Sequence, residues 1–129
     1  MATSILDLEE LAGIGLKFYE DTAADETGVD LFRTTVTIKY LEFHNNATTN
    51  TVYFKLRMAG TIAAGGVDPG TTVPTHQLRV ANNAHVRIAI PTGLTVPSIS
   101  YWVVNGSALT STGAPDSSGN CTIRIVYTD

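Results

Sequence analysis

The sequence has one cysteine, Cys121, among 129 residues. A lone thiol excludes an intramolecular disulfide and any zinc centre built from thiolates. Three histidines are present, His44, His76 and His85. They share no H-x-H, HExxH or comparable ligand spacing, so no metal site is expected from them. No apolar run approaches the ~20 residues of a membrane-spanning helix. The first eleven residues carry Asp7, Glu9 and Glu10 in place of a basic start, so neither a signal peptide nor a membrane partner is expected, and the chain is expected to be made in a cytoplasm and to stay soluble. Charged residues make up only 16%, which suggests that part of the exterior is covered by another molecule.

Catalytic motifs are missing as well. No G-x-S-x-G elbow is present. Cys121 has the same strand parity as Ile123 and Ile125, which suits a small buried hydrophobe better than a nucleophile. From Arg33 onward the acids are Glu42, Asp68, Asp116 and Asp129, few candidates for the two carboxylates that must flank a glycosidic bond. Asp21, Asp25, Glu26 and Asp30 supply hard oxygens, but their spacing departs from a calcium loop. Gly65-Gly66 precedes no helix and so cradles no phosphate. The expectation is a non-enzymatic protein without catalytic residues, cofactor or metal.

What is there is unevenly distributed. Residues 1–32 hold eight acids and one base, a balance of −7, whereas residues 33–129 hold seven bases and four acids, a balance of +3. Such asymmetry speaks to association rather than to fold. Ser4 to Ala12 reads as a short helix capped by Ser4, with Asp7 three residues on. Ile5, Leu8 and Leu11 fall on one face, and a helix this short needs that face docked. Beyond it Ile14, Leu16 and Phe18 alternate with Gly15, Lys17 and Tyr19, as in a strand or extended arm. The division expected is an N-terminal arm, 1–33, and a sandwich domain, 34–129. Ile5, Leu8, Leu11, Ile14, Leu16 and Phe18 are the expected partner interface.

From residue 34 the period is two. Val36, Ile38 and Tyr40 alternate with Thr35, Thr37 and Lys39, and then Leu41 and Phe43 take the opposite parity. A change of parity inside one strand predicts a β-bulge or a bend. Val52, Phe54, Leu56 and Met58 form the clearest strand. Leu78 and Val80 mark a short one, followed by an Asn82-Asn83 turn. Val86, Ile88 and Ile90 alternate up to Pro91-Thr92-Gly93, which is expected to close that strand. Ile99 to Val104 is bulky at both parities, as in a strand covered on both faces. Residues 106–119 read as a small, polar loop. Cys121, Ile123, Ile125 and Tyr127 make the last strand. With no long helix available for a parallel crossover, the expected fold is all-β: an antiparallel β-sandwich, jelly-roll or Ig-like, of about six to eight strands. Lys39, Lys55, Arg57, Arg79, Arg87 and Arg124 lie mostly on polar strand faces. The small net positive charge favours a mixed or protein-contacting face over a nucleic-acid groove.

Several segments resemble a β-sandwich that recurs among virion proteins of tailed bacteriophages: NNATTNTVYFKLRMAG (45–60), GTTVP (70–74) leading into HQLRV (76–80), VRIAIPTGL (86–94), SYWVVNG (100–106) and CTIRIVYT (121–128). The resemblance spans residues 40–129 and is carried by structural motifs. It implies a capsid decoration or cement protein on the virion surface, made in the host cytoplasm. Its partner would be the major capsid protein or another virion protein, and it would be a homo-oligomer, with a trimer as the guess. The alternative expectation is a carbohydrate- or receptor-binding module of a head fibre or tail, with Tyr101, Trp102 and the 106–119 loop as its site.

Overall fold

The computed structural model describes residues 15–46, 50–58, 66–115 and 121–129. The helix expected over 4–12 lies outside them. Eight strands are present: β1 (Lys17–Asp21), β2 (Val29–Phe32), β3 (Val36–Asn45), β4 (Val52–Arg57), β5 (His76–Val80), β6 (Ala84–Val96), β7 (Ile99–Val104) and β8 (Cys121–Thr128). They form two four-stranded antiparallel sheets. Sheet A has the order β1-β8-β3-β6 and sheet B the order β2-β7-β4-β5.

The order follows from one long ribbon. β1 pairs with β8, β2 with β7, β3 with β6 and β4 with β5, so the first half of the chain runs antiparallel to the second about the β4–β5 connection. Rolling that ribbon adds the β3–β8 and β4–β7 pairings and puts successive pairs in alternate sheets.

The expected boundary at residue 33 does not coincide with the sheets. β1 and β2 both lie before it, yet β1 is an edge strand of sheet A and β2 of sheet B. Between them the acidic stretch crosses the end of the sandwich. It is pinned by Ala24 N–H donating to the Cys121 carbonyl (3.0 Å) and by Val103 N–H donating to the Asp25 carbonyl (2.8 Å). Its carboxylates serve the backbone: Asp21 and Asp25 accept from the amides of Ala23 and Thr27, each at 2.9 Å.

The sheets pack through their inner faces. Ile38, Leu41, Phe43, Ile123 and Ile125 from sheet A meet Val52, Phe54, Leu56, Tyr101 and Val103 from sheet B, all at 5% exposure or less. Phe43 and Phe54 meet edge to face across the interface, with centroids 5.1 Å apart. The parity change in β3 is a register shift between Ile38 and Tyr40, seen against both neighbours. It keeps Val36 and Ile38 inside before it and Leu41 and Phe43 inside after it.

β6 differs from expectation at its middle. Pro91-Thr92-Gly93 does not close the strand, which continues to Val96. Ile38 pairs with Leu94 while Tyr40 pairs with Ala89, so residues 90–93 of β6 bulge out opposite Lys39 alone. Pro91 is tolerated because β6 is an edge strand. Gly93 supplies the positive φ of 82° that the bulge requires.

The outer face of sheet B is covered. All six residues of β7 are buried, in keeping with the bulk at both parities. Ser100, Trp102 and Val104 point away from the core, and residues 105–115 with part of 66–75 lie over this side. Lys55 Nζ donates to the Ala108 carbonyl, Arg57 donates to the Val73 carbonyl at 2.8 Å, and Asp30 accepts from Ser100 Oγ at 2.9 Å and from Val67 N–H at 3.2 Å.

Candidate functional site

Four of the six residues expected at a partner interface, Ile5, Leu8, Leu11 and Ile14, lie outside the described residues. The other two flank the start of β1. Leu16 is half-buried, and Phe18 is 55% exposed. The alternation suggested a strand or extended arm, and the inward residue of β1 is Tyr19. Its ring meets Tyr101 edge to face at 6.2 Å, and the two hydroxyls lie 2.5 Å apart. Tyr101 donates to Asp21 Oδ2 at 2.6 Å, so Tyr19 donates to Tyr101. Burial together with these hydrogen bonds pushes the Tyr101 phenol far up. Phe18 therefore faces outward beside Val126, with Tyr40 across β8.

The next row of the same face carries a charge ladder. Register aligns Glu20 of β1, Arg124 of β8, Glu42 of β3 and Arg87 of β6, alternating in sign across all four strands. Arg124 donates to Glu20 at 2.5 Å and also to Glu42. Arg87 Nε and the Tyr40 hydroxyl donate to Glu42 Oε1, each at 2.9 Å. Burial pushes the Glu42 carboxyl up, but the three donors outweigh it and hold the pKa at about 2. One row further, His44 and His85 are cross-strand partners with stacked rings, centroids 3.5 Å apart. Burial, His85 and the Arg124 cation all lower the His44 pKa. Planes so nearly parallel do not aim two lone pairs at one point, and no group of three potential metal-ligating side chains converges among the described residues.

The cations read as a polar strand face are thus divided between the two outer faces. Arg87 and Arg124 lie on sheet A among acids; Lys55, Arg57 and Arg79 lie on sheet B.

A third feature is an apolar cleft of ≈ 250 Å³ where the edges of β5 and β6 leave the sheets apart. Leu41, Phe43, Met58, Leu78, Ile88 and Leu94 form most of its wall. Ile88 and Leu94 are 37% and 40% exposed. In the sequence these residues read only as core. The cleft exists because neither edge strand has a neighbour to close it.

No family model, curated protein or solved structure matches this chain.

Proposed function

We propose that this protein is a structural, partner-binding component of a tailed-phage particle, a decoration protein that docks on the major capsid protein shell, and that its sandwich is a jelly roll. The strand orders 1-8-3-6 and 2-7-4-5, reached by rolling one antiparallel ribbon, support the jelly-roll reading, an architecture common to viral capsid and lectin domains. Fold by itself does not assign function. The segments that resemble phage virion sandwiches supply the rest, since they coincide with β4 to β8 and the turns between them.

One observation carries the docking role: Phe18, 55% exposed on an edge strand, continues an apolar series that begins at Ile5. An exposed phenylalanine beside Val126 and Tyr40 is a ready anchor for a partner, because burying a side chain of this kind contributes about 1.5–3 kcal/mol. The shell-bound form is a homo-oligomer, and a trimer matches a local threefold position.

The test is co-sedimentation with shells of the major capsid protein encoded alongside it. The full chain should saturate the shells. A chain lacking residues 1–14, which keeps all eight described strands, should fold but fail to bind, and Phe18→Ser should weaken binding in the full chain. Undiminished saturation by both variants would refute the docking role of this edge.

A further inference from the structure

The outer face of sheet B holds two buried hydrogen-bond donors whose needs the described residues do not meet. Lys55 of β4 and Trp102 of β7 are cross-strand partners. Side chains in that relation stand next to each other on one face. Both are 0% exposed, and neither side chain belongs to the core between the sheets: Tyr101 and Val103 point there, so Trp102 points the other way. The Lys55 ammonium carries three N–H groups and donates to a single acceptor, the Ala108 carbonyl. Among the described residues no carboxylate pairs with it, and burial lowers its pKa. The Trp102 indole Nε1 is buried with no hydrogen-bond partner among the described residues. An indole N–H can only donate, and a buried donor left unmet is rare and costly in a folded protein. Two such groups on adjacent strands, one of them cationic, make a niche short of acceptors among the described residues.

The cover over this niche is light. Of residues 105–115 only Pro115 is buried. They close on themselves through Asn105 N–H to the Gly113 carbonyl (3.1 Å) and Ser111 N–H to the Ala108 carbonyl (3.0 Å). Leu109, the largest residue of this stretch, is 54% exposed and adds nothing to the interior. The Lys55 bond to Ala108 is the one polar tie from the loop to the sheet face beneath it among the described side chains.

We propose that the Lys55–Trp102 niche is a binding site for a carboxylate-bearing sugar, reached when residues 105–115 swing off the outer face of sheet B. The chemistry is complementary at each point. The carboxylate replaces the Ala108 carbonyl as acceptor for the Lys55 ammonium, so that an ion pair takes the place of a bond from the cation to a neutral carbonyl. A ring hydroxyl accepts from Trp102 Nε1. The indole offers an apolar face to the C–H side of a pyranose. An acidic peptide would satisfy Lys55 but would leave the indole face and its N–H without a dedicated partner, so the sugar is the better fit. The site lies on sheet B, away from the β1 edge of sheet A, and does not depend on the docking role proposed for Phe18.

Trp102 is the sole tryptophan, so its emission reports on the site alone. The experiment titrates the full chain with glucuronate and with N-acetylneuraminate, with glucose and a glutamate-rich peptide as controls. The expected result is a saturable emission change at ~1 mM acidic sugar, a range ordinary for small ligands, no change with glucose, and at least about tenfold weaker binding in Lys55→Met. A wild-type measurement stands apart from the folding of that variant: the single indole N–H resonance of Trp102 should move on adding glucuronate and not glucose. An unmoved resonance, equal responses to glucose and glucuronate, a response to the peptide alone, or undiminished binding by a folded Lys55→Met protein would each overturn the proposal.

Discussion

Glu42→Gln is the most searching perturbation of the sandwich, because its effect has a sign and a pH window. The Glu42 side chain is 10% exposed and accepts from Arg124, Arg87 and Tyr40. Its carboxyl falls from 4.5 to about 2 in the folded chain. A fall of that size corresponds to about 3 kcal/mol of linkage at ~1.4 kcal/mol per pH unit. The Arg87 partner is 60% exposed, so water and salt screen part of it, and ~2 kcal/mol is the better expectation. Because the folded value lies below the unfolded one, the stabilisation is complete above about pH 4.5. It fades as the pH falls from there through about 2. Glutamine keeps the shape and cannot ionise; Arg124 keeps Glu20. Glu42→Gln should therefore cost ~1–2 kcal/mol at pH 7, and the gap to the wild type should narrow to a few tenths near pH 2. Urea unfolding at several pH values measures this without adding salt, which guanidinium would do. A gap that stays constant from pH 7 to 2, or one absent at pH 7, would refute the ladder as an energetic unit.

Phe54→Ala should cost ~3–5 kcal/mol in the same urea assay, because it opens a cavity against Phe43 at the centre of the core. In a spectroscopic alkaline titration, at least one of the five tyrosines should stay un-ionised until the protein unfolds, since Tyr101 is buried and donates to Asp21. Tyr101→Phe should remove that late phase. Gly93→Ala should lower stability by ~1 kcal/mol or more, measured as a drop in Tm. Its φ of 82° disfavours a side chain, and the added methyl meets the Thr37 methyl.

The exposed β1 edge of sheet A and the Lys55–Trp102 niche on sheet B are different surfaces. Docking through that edge would leave the outer face of sheet B free for a ligand. The two tests, sedimentation with shells and titration of Trp102, therefore succeed or fail separately.

The sequence by itself determined the local features. The parity switch at Tyr40 and Leu41 announced a bulge because the pleat forces successive side chains to opposite faces, whatever the strand pairs with. Cys121 is buried with Ile123 and Ile125 of the same parity, and the bulk of β7 at both parities matches its burial on both faces. The turn at Asn82-Asn83 was legible too, with Asn83 at a φ of 56° that asparagine accepts. One short element was not legible. β2, four half-buried residues with an irregular register, hid in the acidic stretch, and in β1 both Phe18 and Tyr19 are aromatic, so the pattern did not say which faces in. Only the tertiary structure decided the pairings. β1 meets β8 about a hundred residues away, and the ladder Glu20–Arg124–Glu42–Arg87 takes one residue from each of four strands. The His44–His85 stack and the burial of Lys55 arise the same way, from a strand partner and from a loop that lies elsewhere in the chain. Periodicity is written by the backbone at each residue, whereas partners are chosen by the energy of the rolled sheets as a whole.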